Sequence, residues 1–194
     1  MKKPKFPQLQ TLALLPAGEV EFLFSQLQPV RLKSGEFLMK PGDDANRFFL
    51  VQSGLLKSYL FNDEGNSVVK SFSQAGEIAI DYHGFLKQTP ASIWIEALED
   101  CEVLARPAQL SGILYARSPL WLRVDLEVLQ YFVLKLSQRE TDLLTMNAAE
   151  NYDKVATEYA SVLESIPKKD LASFLGITPE SFSRLMRSRR DGSA

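Results

Sequence analysis

The sequence predicts an α+β protein: a β domain of sandwich or barrel type, one long helix, and a small helical domain at the C-terminal end. Three observations carry this expectation. Between Val30 and Leu104, short β-type runs alternate with glycines at the spacing of turns. From Leu122 to Asn147, apolar residues recur in steps of four and three. From Lys168 to Arg187, two short helical patterns flank Gly176. With 194 residues, 45% of them hydrophobic, the chain can bury one core or two modest ones.

In chain order, residues 1–15 are basic and then apolar with two prolines, which suits a segment laid across the surface. Val20, Leu23, Phe24 and Leu27 have the spacing of a short helix with one buried face, and Pro29 ends it. The period then changes to two. Val30–Lys33, Phe37–Met39, Phe48–Val51, Leu56–Phe61, Val68–Phe72, Ile93–Leu98 and Cys101–Leu104 read as strands, with Gly35, Gly42, Gly54, Gly65 and Gly76 between them. Asn62-Asp63-Glu64-Gly65-Asn66 is the clearest hairpin turn. Beyond Pro107 a short helix spans about Leu110 to Tyr115 and ends near Ser118-Pro119.

The long helix comes next. Leu122, Leu126, Leu129, Val133, Leu136, Glu140, Leu143 and Asn147 form an a/d seam that calls for a partner helix. Val124, Val128 and Phe132 lie on another face and can pack on the chain's own β domain, so two apolar faces favour a parallel homodimer through residues 122–143. A helix over Asn151–Ser165, with Val155, Tyr159 and Val162 at helical spacing, leads through Ile166-Pro167 to the final pair. In that pair Leu171, Ala172 and Leu175 form the inner face of the first helix, and Gly176 ends it. Thr178 caps the second helix and Pro179 opens it, where a missing N–H costs nothing. Phe182 and Leu185 fall on its packing side; Glu180, Ser181, Ser183, Arg184 and Arg187 project elsewhere. A DNA-reading helix-turn-helix needs this division, with Arg and Glu able to read guanine and cytosine, and Ser hydroxyls and backbone N–H groups able to hold phosphates.

Charge is uneven. From Ile166 onward six Lys and Arg residues, Lys168 and Lys169 among them, stand against three acidic ones; this surplus of three leaves −5 on the rest of a chain whose net charge is −2. Any nucleic-acid contact is therefore expected to be local. The single cysteine, Cys101, excludes an internal disulfide and a cysteine-ligated zinc or iron–sulfur site within one chain, and its expected role is a buried small hydrophobe. No metal site is expected. The one His, His83, is too few for a cupin-like metalloenzyme, and no nucleophile–base pair, paired-acid motif or phosphate-cradling glycine loop points to catalysis. With neither a membrane-spanning apolar run nor a signal-peptide core at its start, the chain is expected to be cytoplasmic and off the membrane.

Leu32-Lys33-Ser34-Gly35-Glu36, Pro41-Gly42, Phe49-Leu50-Val51-Gln52-Ser53-Gly54 and Gly76-Glu77, followed by Asp170-Leu171-Ala172 and Leu175 to Arg184, resemble the cyclic-AMP receptor protein and FNR superfamily of bacterial transcription regulators. The resemblance covers nearly the whole chain. It implies a jelly-roll-like β-roll sensor domain (residues 1–118), a dimerisation helix (119–148) and a helix-turn-helix DNA-binding domain (149–194). It further implies that Glu180 and Arg184 read bases, that double-stranded DNA is the partner, and that RNA polymerase is a further candidate partner. Pro179 stands where many relatives carry an Arg, so the recognised sequence should differ from theirs. The nine residues after Leu185 are too few for the β-hairpin wing that many relatives add, and Arg187, Arg189 and Arg190 are the candidates for holding phosphates instead.

The sensor departs from the family more deeply. Members that bind cyclic AMP grip its phosphate with an Arg before a Ser; here the matching pair is Ala91-Ser92, after a longer segment. A buried phosphate without that Arg loses a charge-assisted bidentate contact, so control by cyclic AMP is not expected and no cofactor is assigned. Gly76, Glu77, Phe85, Ala91 and Ser92 are the candidate pocket residues, with Phe85 a candidate plug. The alternative function is a ligand- or partner-binding β-roll protein that has lost specific DNA binding.

Overall fold

A computed structural model describes residues 9–191 of the chain. The basic start at residues 1–8 lies outside the described residues; the apolar segment after it forms a 3₁₀ turn, Gln10–Leu14. The Thr11 hydroxyl donates to Glu127 of the long helix at 2.5 Å. Helix α1 (Glu19–Gln26) follows, as the apolar spacing predicts.

Eight antiparallel strands then form two four-stranded sheets. Strands β1 (Gln28–Leu32), β8 (Cys101–Pro107), β3 (Arg47–Ser53) and β6 (Ile78–Ala79) make one, in that order. Strands β2 (Phe37–Met39), β7 (Trp94–Ala97), β4 (Leu55–Phe61) and β5 (Ser67–Gln74) make the other. Their inner faces share a core of Met39, Phe49, Val51, Leu56, Ile93, Ile95 and Val103. This is the roll that the glycine spacing predicts. At Gly54, with φ +83°, an added Cβ would sit 2.5 Å from both the Asp100 carbonyl and the Cys101 sulfur, so only glycine lets β3 turn into β4 here. Cys101 is buried as expected, and burial pushes its thiol up.

Helix α2 (Tyr82–Lys87) interrupts the roll between β6 and β7. After β8, helix α3 (Leu110–Arg117) leads into α4 (Leu120–Thr145), the long helix. Trp121 and Val124 bury one face of α4 against Leu23, Leu27, Leu110 and Leu114. Two interactions fix its start: the Trp121 indole N–H donates to Glu19 at 2.9 Å, and the Arg106 guanidinium of β8 makes a double 3.0 Å contact with Asp125.

Two boundaries differ from the sequence expectation. Helix α4 stops at Thr145, and Asn147 does not extend the seam; its side chain accepts from the Ala149 and Glu150 N–H groups while Glu150 reaches back to the Asn147 N–H, a capping box that starts α5 (Ala148–Glu158) early. The expected helix over 151–165 thus breaks after Glu158 and resumes as a 3₁₀ turn, Leu163–Ser165. Helices α6 (Lys168–Phe174) and α7 (Pro179–Asp191) complete the fold. The last helices rest on the roll: Val155, Tyr159, Leu171, Phe174 and Phe182 share one apolar cluster with Leu55, Tyr59, Val69 and Phe72 of strands β4 and β5.

Candidate nucleic-acid interface and ligand pocket

The α6–α7 pair is built as a helix-turn-helix. Helix α6 buries Leu171, Ala172 and Phe174. Gly176 then takes φ +71°, and the Ile177 N–H donates back to the Ala172 carbonyl at 3.0 Å, closing the turn. The Thr178 hydroxyl accepts from the Ser181 N–H at 3.2 Å and so caps α7, with Pro179 as its first residue. Phe182 is buried and Leu185 half-buried, while Pro179, Glu180, Ser183, Arg184 and Arg187 are exposed. The Arg184 guanidinium donates to the Ser181 hydroxyl at 3.1 Å, which aligns its fork along the outer face. Glu180 is held below the usual carboxylate range by its own backbone N–H and then by the Thr178 side chain, so it stays an acceptor. Lys168 and Lys169 are exposed at the start of α6. Arg189 also pairs with Asp153 of α5.

On α4 the two expected faces separate. Leu122, Leu126, Leu129, Val133, Leu136 and Leu143 are between 39% and 61% exposed, and Glu140 is exposed beside them. Val124 is buried and Val128 and Phe132 are half-buried against the roll.

The candidate pocket residues do not converge. Gly76 makes the turn into β6 with φ +95°. Glu77 faces α4, where it accepts from Lys135 at 2.6 Å and Tyr131 at 3.1 Å; its second oxygen accepts from the Gln74 N–H at 2.9 Å. Burial pulls the Lys135 ammonium down, but Tyr159, Glu77 and Tyr131 outweigh it and hold the charged form. Ala91 packs in the roll core. The Ser92 N–H and hydroxyl donate to Asp81, at 2.7 and 3.0 Å, and the Gly84 N–H caps the same carboxylate. Asp81 is 1% exposed. Burial pushes its pKa up, and these donors more than offset that, holding it below the usual carboxylate range.

A cavity of about 140 Å³ lies beside Glu77, walled by Ile78, Ile80, Tyr82, Tyr131, Phe132, Lys135 and Tyr159 among others. Phe85 does not line it. That ring instead meets Phe48 at 6.1 Å in a separate groove of about 290 Å³, along Leu122, Leu126 and Leu129. No group of His, Cys, Asp and Glu among the described residues is placed to hold a metal ion. None of the described helices is long and apolar enough to cross a membrane.

Residues 29–111 match the family model of the cyclic nucleotide-binding domain. Electron transport regulator A of Shewanella oneidensis is 26% identical over 187 residues, covering 91% of this chain and 73% of that protein. Among solved structures, the c-di-GMP responsive global regulator CLP of Xanthomonas campestris superposes with TM-score 0.71 at 16% identity, over 92% of this chain and 93% of that one. A Crp/Fnr-family transcriptional regulator from Eubacterium rectale superposes with TM-score 0.72 at 16% identity, over 95% and 88%. The chain thus carries a domain similar to the cyclic nucleotide-binding domain and resembles, over most of its length, regulators that include one of the Crp/Fnr family. It spans 60% to 73% of the lengths of the curated relatives it matches. The named relative and both of these solved structures are regulators.

The residues that matter most around Glu77 were missed from sequence. Tyr131, Lys135 and Tyr159 sit four residues apart or on different helices, and nothing marks them as neighbours of a strand more than fifty residues away. Tyr131 and Lys135 share the inward face of α4 with Val124 and Val128, so helical phase was their one available signal. Asp81 carried a clearer one, an Asp placed before a short helix as an N-cap.

Proposed function

We propose that the chain is a dimeric, sequence-specific DNA-binding transcription regulator, acting in the cytoplasm without cyclic AMP. One observation carries the DNA reading: α7 is anchored by buried Phe182, while Glu180, Ser183, Arg184 and Arg187 stand exposed on its other side. Glu180 and Arg184 read base edges in the major groove; Thr178, Ser181, Lys168, Lys169 and Arg187 hold phosphates. The exposed α4 seam pairs with a second copy, so two α7 helices meet a near-palindromic site with half-sites about one helical turn apart. Selection from random duplexes tests this: a two-fold symmetric consensus is expected, and recovery of unrelated asymmetric sequences overturns the reading. Leu129→Glu and Leu136→Glu should each convert a dimer to monomer in analytical ultracentrifugation, since each removes an apolar contact from both copies.

The absence of cyclic-AMP control is supported by two groups that are already satisfied. The Glu77 carboxylate is bound by Lys135, Tyr131 and a backbone N–H, and Ser92 is committed to Asp81. A ligand that binds the folded state raises its stability by about 2.7 kcal/mol at a hundred times its Kd. Millimolar cyclic AMP should leave the melting temperature unchanged. A rise of several degrees refutes this part of the proposal.

A further inference from the structure

Strand β5 is an edge of its sheet, with β4 on one side and no strand on the other. The first helix of the helix-turn-helix covers that edge. The Ser173 hydroxyl of α6 accepts from the Val69 N–H at 3.0 Å and donates to the Ser67 carbonyl at 3.0 Å. These are two groups that a further strand would have paired, so one serine satisfies the edge in its place. One turn earlier on α6, Asp170 meets Lys57 of β4 at 3.0 Å; their side chains are 2% and 7% exposed. Glu96 of β7 completes the cluster, 3.3 Å from the same ammonium. On the far side of α6, Arg139 of α4 donates to the Phe174 carbonyl and lies over the Phe174 ring at 3.8 Å.

A domain carried only by its covalent link at Met146-Asn147 would need none of this. We propose that Lys57, Asp170 and Ser173 form a latch that fixes the helix-turn-helix on the edge of the roll, so that the roll, through β4 and β5, sets the angle at which α7 stands to α4. The role of that angle in spacing two half-sites rests on the DNA reading proposed above. The latch itself does not. Removing Lys57 alone leaves Asp170 buried without its cation, the costly way to break a buried pair; replacing both partners with apolar residues removes that cost, while Glu96, partly exposed, keeps its hydrogen bond with Tyr59.

Amide hydrogen exchange on the full chain tests this with no DNA present, so its outcome is independent of whether the chain binds DNA. In Lys57→Met, the Val69 amide and the α6 amides should exchange together, more than about 100-fold faster than in wild type. The Val51 and Val103 amides in the roll core should keep their rates. Lys57→Met/Asp170→Leu should recover most of the protection. If Lys57→Met does not fold, Ser173→Ala serves instead, with exchange at Val69 expected to rise at least about tenfold, as the loss of both Ser173 hydrogen bonds implies. Unchanged exchange at Val69 overturns the latch, as does exchange that speeds up equally at Val69, Val51 and Val103.

Discussion

The proposed reading head and the candidate pocket of this chain treat their polar groups in opposite ways. On α7, Glu180, Ser183, Arg184 and Arg187 are turned to solvent by a helix that buries only Phe182 and half-buries its neighbours. Around the pocket, Glu77 and Asp81 face inward, and each carboxylate is met by donors from the protein itself. A surface that recognises charge leaves its donors and acceptors to water until a partner replaces it; a buried carboxylate without a partner costs several kcal/mol and is satisfied from within. The same contrast runs along α4, apolar towards water on one face and packed on the roll on the other.

The contrast is broken most severely by Phe182→Ala. Emptying this buried site should cost about 3–5 kcal/mol and loosen α7, so that thermal unfolding begins earlier and every duplex binds more weakly. Normal stability in this variant would mean that α7 is not held by its buried face. Next in size is Lys135→Met, which leaves Glu77 without its cation. A loss of about 2 kcal/mol is expected, read as a lower urea midpoint at unchanged slope. A variant as stable as wild type would show that Glu77 draws nothing from Lys135.

Two arginines sharpen the comparison at the reading head. Arg184→Ala should cost about 1–3 kcal/mol on the preferred site and relax base choice at one position. Arg187→Ala should weaken preferred and random duplexes alike and lower the salt dependence by about one unit of slope. Equal losses on both kinds of DNA for both variants would remove the division into base reader and phosphate holder.

The smallest expected effect separates Asp81 from an ordinary carboxylate. Its pKa in the folded chain lies below the ordinary 3.8, so its contribution to stability is complete above that pH and fades as the pH falls through the lower folded value. Asp81→Asn should therefore cost about 1 kcal/mol near neutrality, with the gap to wild type closing in acid. A gap that widens in acid would mean that the carboxylate is destabilised by its site.

The elements were legible in the residues because they depend on local periods. Period-two runs and turn glycines marked the roll; the four-three steps marked α4; Gly176, Thr178 and Pro179 marked the turn between α6 and α7. The exposed α7 stripe was legible for the same reason, since positions three or four apart on one helix share a face whatever surrounds it. Element ends were less so. Asn147 fitted the seam period, yet its side chain and Glu150 gain more by capping a new helix than by extending the old one.

Only the tertiary structure decided what satisfies the buried carboxylates and where the helix-turn-helix rests. Lys135 meets Glu77, Ser92 meets Asp81 and Lys57 meets Asp170 across separations in the chain that no local period spans. Such pairs form because packing places two polar or charged groups out of water together. The sequence by itself determined which faces were apolar and which residues could read DNA. Burial then decided which polar groups were left to face outward.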